Sequence, residues 1–205
     1  MEEKLQAILT KDIVAGLAHN INTPLNLILG YAQQMQSKGF NPDHLQKILV
    51  AGFKIDAILS GTLQGIMLSE DADVKEYNLV ELLSKEIVLL TDDLRVKRAV
   101  KFGTDKLIGT WPVTSIPAAM CMLFASLIHQ IREYAPADVD LEPISFGVYT
   151  SLELKLNFRE QEQVPQLYLP SNQELCEYLD LSGTLELFEL GQEDGIVRIR
   201  INDLR

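Results

Sequence analysis

Two apolar stripes with helical spacing, joined by a short turn, constrain the fold of this chain most. One predicted helix runs from about Glu3 to Ser37, and the next begins at Pro42 and ends near Ser69. The stripe residues recur at alternating steps of three and four: Leu17, Ile21, Leu25, Ile28, Ala32 and Met35, then Leu45, Ile48, Gly52, Ile55, Leu59, Thr62 and Ile66. This spacing is typical of a coiled coil or a helical bundle. Residues 1–70 are therefore predicted to form an antiparallel helical hairpin.

A lone hairpin would leave much of this apolar surface in water. Pairing two copies into a four-helix bundle buries both stripes, so we predict a homodimer. The alternative is a plain hairpin that packs against the C-terminal part of its own chain.

His19 lies on a different side of the first helix from the apolar stripe. It is two residues from both Leu17 and Ile21, which at about 100° per residue turns it roughly 200° away from them. We expect a solvent-accessible imidazole. Pro24 removes a backbone donor and is predicted to bend the helix just after the histidine.

The segment around His19 resembles the phospho-acceptor box of sensor histidine kinases. His19, Thr23, Pro24 and Leu25 match that box, while Asn20 replaces the acid that follows the histidine in the family. The resemblance implies that His19 is the nucleophile and that Thr23 orients a water. Asn20 can orient the imidazole by hydrogen bonding, but it cannot act as the general base of the kinase reaction.

Composition excludes several classes of protein. The chain has 205 residues, of which 47% are hydrophobic, and it lacks the run of about 18 apolar residues needed to cross a bilayer. Met1-Glu2-Glu3-Lys4 does not resemble a signal peptide, so we expect a cytoplasmic protein without membrane association. Cys121 and Cys176 are predicted to be reduced packing residues.

The charge distribution argues against binding of nucleic acid. The net charge is −11, and residues 71–205 carry 23 Asp/Glu against 13 Lys/Arg. Nucleic-acid binding requires a basic surface. An acidic surface also repels polyphosphates unless a local site overcomes it.

Residues 71–205 are predicted to form a second domain after a polar connector, Glu70–Glu76. Their pattern mixes helices with mostly antiparallel strands, which favours an α/β sandwich and an α+β fold for the whole chain. The predicted order is a helix over 78–97, a strand over 100–102, an irregular stretch over 110–114, a helix over 117–134, strands over 144–150 and 152–159, a helix over 171–181, and a hairpin of 184–190 with 196–202 around Gly191–Gly195.

This order resembles the ATP-binding domain of histidine kinases, which is of the GHKL type. The similar segments are Tyr77–Leu83 as entry helix, Met122–Pro136 as nucleotide-contacting helix, and Leu181–Glu186 followed by Gly195–Ile201 as closing hairpin. With the first helix, the resemblance covers nearly the whole chain.

The residues that would bind nucleotide are absent from this second domain. Gln130 and Ile131 stand where the family has a metal-binding Asn-Ala pair, and Arg159–Gln163 replaces its glycine-rich adenine turn. In the family a glycine-rich lid covers the phosphates. Here only Val164–Asn172 lies between the Arg159–Gln163 stretch and the predicted helix over 171–181, so the lid has no counterpart. The domain is therefore predicted to be degenerate and not to bind ATP.

The remaining candidate chemistry is sparse. His44 and His129 are interpreted as packing or surface residues, and three dispersed histidines give no metal-binding pattern. The sequence contains no phosphate loop, Rossmann fingerprint or Gly-x-Ser-x-Gly motif.

The resemblance implies a histidine phosphotransferase of two-component or phosphorelay signalling, a phosphoprotein of pseudokinase type. His19 would exchange phosphate with the aspartate of a response-regulator receiver domain, and Mg²⁺ would enter only through that receiver. The alternatives are a sensor histidine kinase with residual kinase or receiver-phosphatase activity, and a non-catalytic dimeric scaffold.

Overall fold

The computed structural model describes residues 2–69, 71–146, 149–159, 164–181, 183 and 185–204. Within these ranges, the side chains of residues 2–16, 19, 61, 64–69 and 146 are not described.

The N-terminal part is a helical hairpin, as the sequence predicts. Helix α1 spans Glu2–Lys38 and continues through Pro24, and α2 spans Pro42–Ser69. Gly39 ends α1 with a φ of 90°, a left-handed conformation that glycine adopts without strain, and its N–H donates to the carbonyl of Met35. The Asn41 side chain accepts from the backbone N–H of Asp43 and caps α2.

The two helices pack through a stripe that differs slightly from the predicted one. Its half-buried and buried members again alternate steps of three and four: Leu17, Ile21, Pro24, Ile28, Tyr31 and Met35 in α1, and His44, Ile48, Ala51, Ile55, Ile58 and Thr62 in α2. The predicted members Leu25, Leu45 and Leu59 are about 40% exposed. The apolar surface of the hairpin is thus wider than one neighbouring helix covers.

The C-terminal part combines helices with strands, which confirms an α+β fold with a helical N-terminal part and a mixed sheet. In chain order its elements are β1 (Lys75–Asn78), α3 (Leu79–Asp92), α4 (Leu94–Ala99), β2 (Val100–Gly103), β3 (Pro112–Ser115), α5 (Pro117–Tyr134), β4 (Ala137–Phe146), β5 (Tyr149–Phe158), α6 (Asn172–Tyr178), β6 (Phe188–Glu193) and β7 (Ile196–Ile201).

Among the described residues, five strands form the main sheet in the order β2-β4-β5-β7-β6. β2 and β4 are parallel, and the other neighbours are antiparallel. Alternate residues such as Val139, Leu154 and Val197 are fully buried in one core with α3 and α5. The opposite face carries charged pairs, for example Lys155 with Glu142 at 2.7 Å. Helices therefore cover one face of the sheet.

Some predicted boundaries in this part are wrong. The helix predicted over 78–97 is interrupted at Asp93, whose side chain accepts from the N–H of Arg95 and caps α4 as a new helix. The polar connector Glu70–Glu76 and the irregular stretch over 110–114 overlap with β1 and β3, which extend one or two residues beyond them. The two strands pair antiparallel, with Tyr77 opposite Val113.

The strands β4 to β6 also start or end at other residues than predicted. β4 begins at Ala137, because Asp138, Asp140 and Glu142 lie on the charged face while the residues between them are buried. The predicted turn over Gly191–Gly195 is shorter: Asp194 and Gly195, with φ of 48° and 77°, form a two-residue turn between β6 and β7. Residues 147–148 of the predicted strand over 144–150, and Thr184 of the predicted strand over 184–190, lie outside the described residues.

Candidate functional site

His19 lies in the middle of α1, on a continuous helix that passes through the whole predicted motif. Its own side chain is outside the described residues. On either side of it Ala18, Asn22 and Thr23 are exposed, whereas Pro24 is buried against the rest of the protein. The predicted residues His19, Asn20 and Thr23 thus lie within about one turn of one helix, with solvent-exposed positions beside the histidine.

Asn20 points toward the C-terminal part of the chain. Its Nδ2 donates to Oδ1 of Asp92 at 2.5 Å. The other carboxylate oxygen of Asp92 lies 3.1 Å from the Thr62 hydroxyl, which is also 2.9 Å from the carbonyl of Ile58 and donates to one of the two at a time. The carboxylate of Asp92, at the end of α3, therefore contacts both helices of the hairpin.

The side chain of the next residue, Asp93, contacts α5 instead of the hairpin. Arg132 Nη1 lies 2.9 Å from its Oδ2, and the Arg95 Nε lies 3.5 Å from its Oδ1. Asp92 and Asp93 are only 5% and 3% exposed. Sequence reasoning missed both acids. The available signal was the Asp-Asp pair that follows the apolar run Leu89-Leu90 after one threonine, where an acid can cap a new helix.

The two other histidines lie in packed surroundings, in agreement with their interpretation as packing residues. The ring of His44 lies 5.1 Å from that of Tyr31 in the hairpin. Burial, and next the nearby Arg132 guanidinium, lower the pKa of His129 to about 4. His129 is therefore neutral at physiological pH.

Gln130, at the position of the expected metal-binding Asn, is bound to the chain itself. Its Nε2 donates to the Tyr168 carbonyl at 3.0 Å, and its Oε1 accepts from the Tyr168 N–H at 2.7 Å. The segment Val164–Pro170, which we term the strap, is also held by Gln192, whose amide bonds the backbone of Pro165 and Leu167. Both polar atoms of Gln130 are thus hydrogen-bonded to the strap.

The stretch Arg159–Gln163, which is predicted to replace the adenine turn, lies partly outside the described residues, because these exclude 160–163. Arg159 is described and pairs with Asp138 at 2.6 Å. Across the described part of the chain, no group of three or more His, Cys, Asp or Glu side chains is arranged to hold a metal ion. Cys121 and Cys176 are free and buried, in agreement with their interpretation as packing residues.

Comparisons with known proteins find similarity at the level of structure. No protein-family model matches the sequence, and neither does any curated protein. The histidine kinase AdeS of Acinetobacter baumannii is 14% identical with a TM-score of 0.43, over 91% of this chain and 98% of that one. The histidine kinase ThkA, in complex with the response regulator protein TrrA, is 15% identical with a TM-score of 0.43, over 98% of this chain and 64% of that one.

A bacterial phosphotransferase is 11% identical with a TM-score of 0.38, over 96% of both chains. At these values the likeness concerns the coarse fold, and it assigns no activity, ligand or partner to this chain. Among the described helices, none has the length and apolar character required to cross a membrane.

Proposed function

We propose that the protein is a histidine phosphotransferase of two-component signalling, in which His19 exchanges phosphate with receiver-domain aspartates without using ATP. The supporting observation is the setting of the His19 motif. It lies on an unbroken helix of a hairpin, with exposed small and polar neighbours, in a chain whose Gln130 is already bonded through both polar atoms.

The chemistry requires little from this chain. A lone pair of a neutral imidazole nitrogen of His19 attacks the phosphorus of an aspartyl phosphate. The N–P bond forms as the O–P bond breaks, the receiver carboxylate leaves with the electron pair, and the other ring nitrogen keeps its proton. The receiver's own Mg²⁺ stabilises the charge on the phosphoryl oxygens. The reverse transfer to a second receiver restores His19.

The test follows the label from receivers phosphorylated with radiolabelled acetyl phosphate. Wild-type protein should become labelled, and His19→Ala and His19→Gln should not. His44→Ala and His129→Ala serve as matched controls and should still accept label. If wild-type protein stays unlabelled with every receiver of a panel, while still binding them, the scaffold alternative is correct instead.

A receiver phosphatase is a second candidate, which the exposed position of Thr23 one helical turn after His19 favours. In that case the label appears as inorganic phosphate, and Thr23→Ala slows its release without reducing the labelling of His19. Equal release with wild-type and Thr23→Ala protein would exclude this role of Thr23.

We also propose that ATP does not bind. The bonding of Gln130 to the strap supports this, because the two hydrogen bonds with Tyr168 hold the side chain against the strap and its amide oxygen already accepts one of them. A calorimetric titration with Mg-ATP should show no saturable heat. A dissociation constant in the micromolar range would restore the alternative of a residual kinase.

The protein is further proposed to be a homodimer through the hairpin. Leu45, Leu49, Phe53 and Leu59 lie along α2 with 39–72% of their surface exposed, although they are apolar. A second hairpin is the partner that the matched stripes of α1 and α2 suit. Ile55→Glu with Leu59→Glu should give monomers or unfolded chains in light scattering, whereas Gln46→Glu, at an exposed polar position, should stay dimeric. A wild-type monomer at micromolar concentration would refute the dimer.

A further inference from the structure

The residue that follows His19 is bonded to a carboxylate from another part of the chain. In the phospho-acceptor box that the sequence resembles, this position carries an acid, and here it carries Asn20. The structure brings the carboxylate of Asp92 to its amide at 2.5 Å. Asn20 and Asp92 are 72 residues apart, so this contact exists only because the hairpin and the C-terminal part pack against each other.

The contact is buried and involves three helices. Asp92 is 5% exposed and Thr62 is 2% exposed. A carboxylate removed from water to this extent is tolerated when donors satisfy its oxygens. Here α1 supplies the Asn20 amide, and α2 supplies the Thr62 hydroxyl, whose one proton is shared between Asp92 and the Ile58 carbonyl. Asn20, Thr62 and Asp92 together are termed the latch.

Asp93, the residue after the latch residue Asp92, connects it to the interior of the C-terminal part. Asp93 is bonded to Arg132 of α5 at 2.9 Å, and its side chain also caps α4. Two consecutive acids therefore connect α1 and α2 on one side with α4 and α5 on the other. Short hydrogen bonds to a buried charge tolerate little displacement, so the latch defines where the C-terminal part lies relative to residue 20 and hence to His19.

We propose that Asp92 is a positioning residue of the phosphotransfer site, which through Asn20 and Thr62 holds the C-terminal part beside His19 as one half of a composite receiver-binding surface. This inference rests on the proposed phosphotransfer function. Asp92 does not touch phosphate in this role. The receiver binds a surface made of the hairpin and the C-terminal part together, and His19 carries out the chemistry once the receiver is bound.

A positioning role predicts an effect on receiver binding rather than on the chemical step. In Asp92→Ala the C-terminal part is no longer held beside His19. KM for the phosphorylated receiver rises by about tenfold, the ratio expected when a buried hydrogen bond to a charged group is lost. The transfer rate at saturating receiver stays within about twofold of wild type. Thr62→Val, which removes one donor at nearly constant shape, raises KM by roughly threefold.

Exchange of the two side chains provides the decisive variant. Asn20→Asp alone places two carboxylates in contact and raises KM as Asp92→Ala does. Asn20→Asp combined with Asp92→Asn restores one donor and one acceptor with their roles reversed, and it lowers KM back toward the wild-type value. Glu81→Ala, an exposed acid on the same helix, is the matched control and leaves KM unchanged.

The experiment measures single-turnover transfer from phosphorylated receiver to the full chain at a series of receiver concentrations, and thermal unfolding of each variant alongside. Absence of labelling in wild-type protein refutes the proposed function itself. Labelling of wild type with an unchanged KM in folded Asp92→Ala and Thr62→Val refutes the positioning role alone. Failure of the exchanged double variant to restore KM, although it is as stable as wild type, also refutes it.

Discussion

The buried carboxyl group of Glu86 is expected to make the stability of this protein depend on pH. Glu86 lies on α3, is 3% exposed, and one of its oxygens, Oε2, has no hydrogen-bond partner. Burial raises its pKa from 4.5 to about 7, with the neighbouring Cys121 thiol acting in the opposite direction. Burial also raises the pKa of Cys121 and of the nearby Tyr77. Both groups therefore stay neutral across the range in which Glu86 titrates.

The sign of the effect follows from proton linkage. The folded state holds the Glu86 proton up to about pH 7, whereas the unfolded chain releases it near 4.5. The free energy of unfolding therefore falls as pH rises between these values and is constant above them with respect to this group. The full difference corresponds to roughly 3 kcal/mol.

Glu86→Gln removes the titration and keeps the shape and hydrogen-bonding capacity of the neutral acid. Urea unfolding of wild type and variant, followed by fluorescence of the single tryptophan, Trp111, gives the free energies. At about pH 5 the two proteins should be nearly equal, and at about pH 8 the variant should be more stable by roughly 2–3 kcal/mol.

Glu81→Gln, an exposed acid on the same helix, is the control and should not reproduce this divergence. If the difference between Glu86→Gln and wild type is the same at both pH values, Glu86 does not titrate between them and the reasoning from burial is wrong.

Three further substitutions test particular contacts by urea or thermal unfolding. Arg132→Ala leaves the buried Asp93 without its 2.9 Å partner on α5 and should cost roughly 3 kcal/mol; a loss below about 1 kcal/mol would mean that Arg95 replaces it. Ser171→Ala removes the capping box of α6 and should cost about 1 kcal/mol, so an unchanged midpoint would contradict the cap. Gly103→Ala places a Cβ against the carboxylate of the exposed Asp140, which has to rotate away, so the change should cost no more than about 1 kcal/mol, and the additional change Asp140→Ala should recover that loss; equal stability of the single and double variants would exclude the clash.

Elements that are specified by nearby residues could be predicted from the sequence. The turn between α1 and α2 depends on the left-handed conformation of Gly39 and on the capping bond that Asn41 accepts from Asp43, and both are local. The start of α5 at Pro117 and the cap of α6 at Ser171 are local in the same sense. In each case the residues that decide the structure lie within one turn of the boundary.

Elements that depend on pairing with distant residues could not be predicted in this way. The acids of β4 disfavour a strand on propensity alone, and they are tolerated because Asp138 and Glu142 face cations from other segments, Arg159 and Lys155. β1 and β3 are four residues each and exist through their mutual pairing across more than thirty residues of sequence. The same limit applies to the site, because nothing near Asn20 in the sequence identifies Asp92 as its partner.

The one-residue difference between the predicted and observed stripes has a physical reason. Leu25 and Pro24 both satisfy a heptad pattern, and so do Leu59 and Ile58, but each helix of a hairpin meets its partner along only one line. The structure uses Pro24 and Ile58 for that contact and leaves Leu25 and Leu59 about 40% exposed. In a four-helix bundle each helix needs a second apolar line for its second neighbour. The proposed homodimer therefore accounts for both apolar lines of each helix. In a monomer the line that carries Leu25 and Leu59 would remain exposed to water.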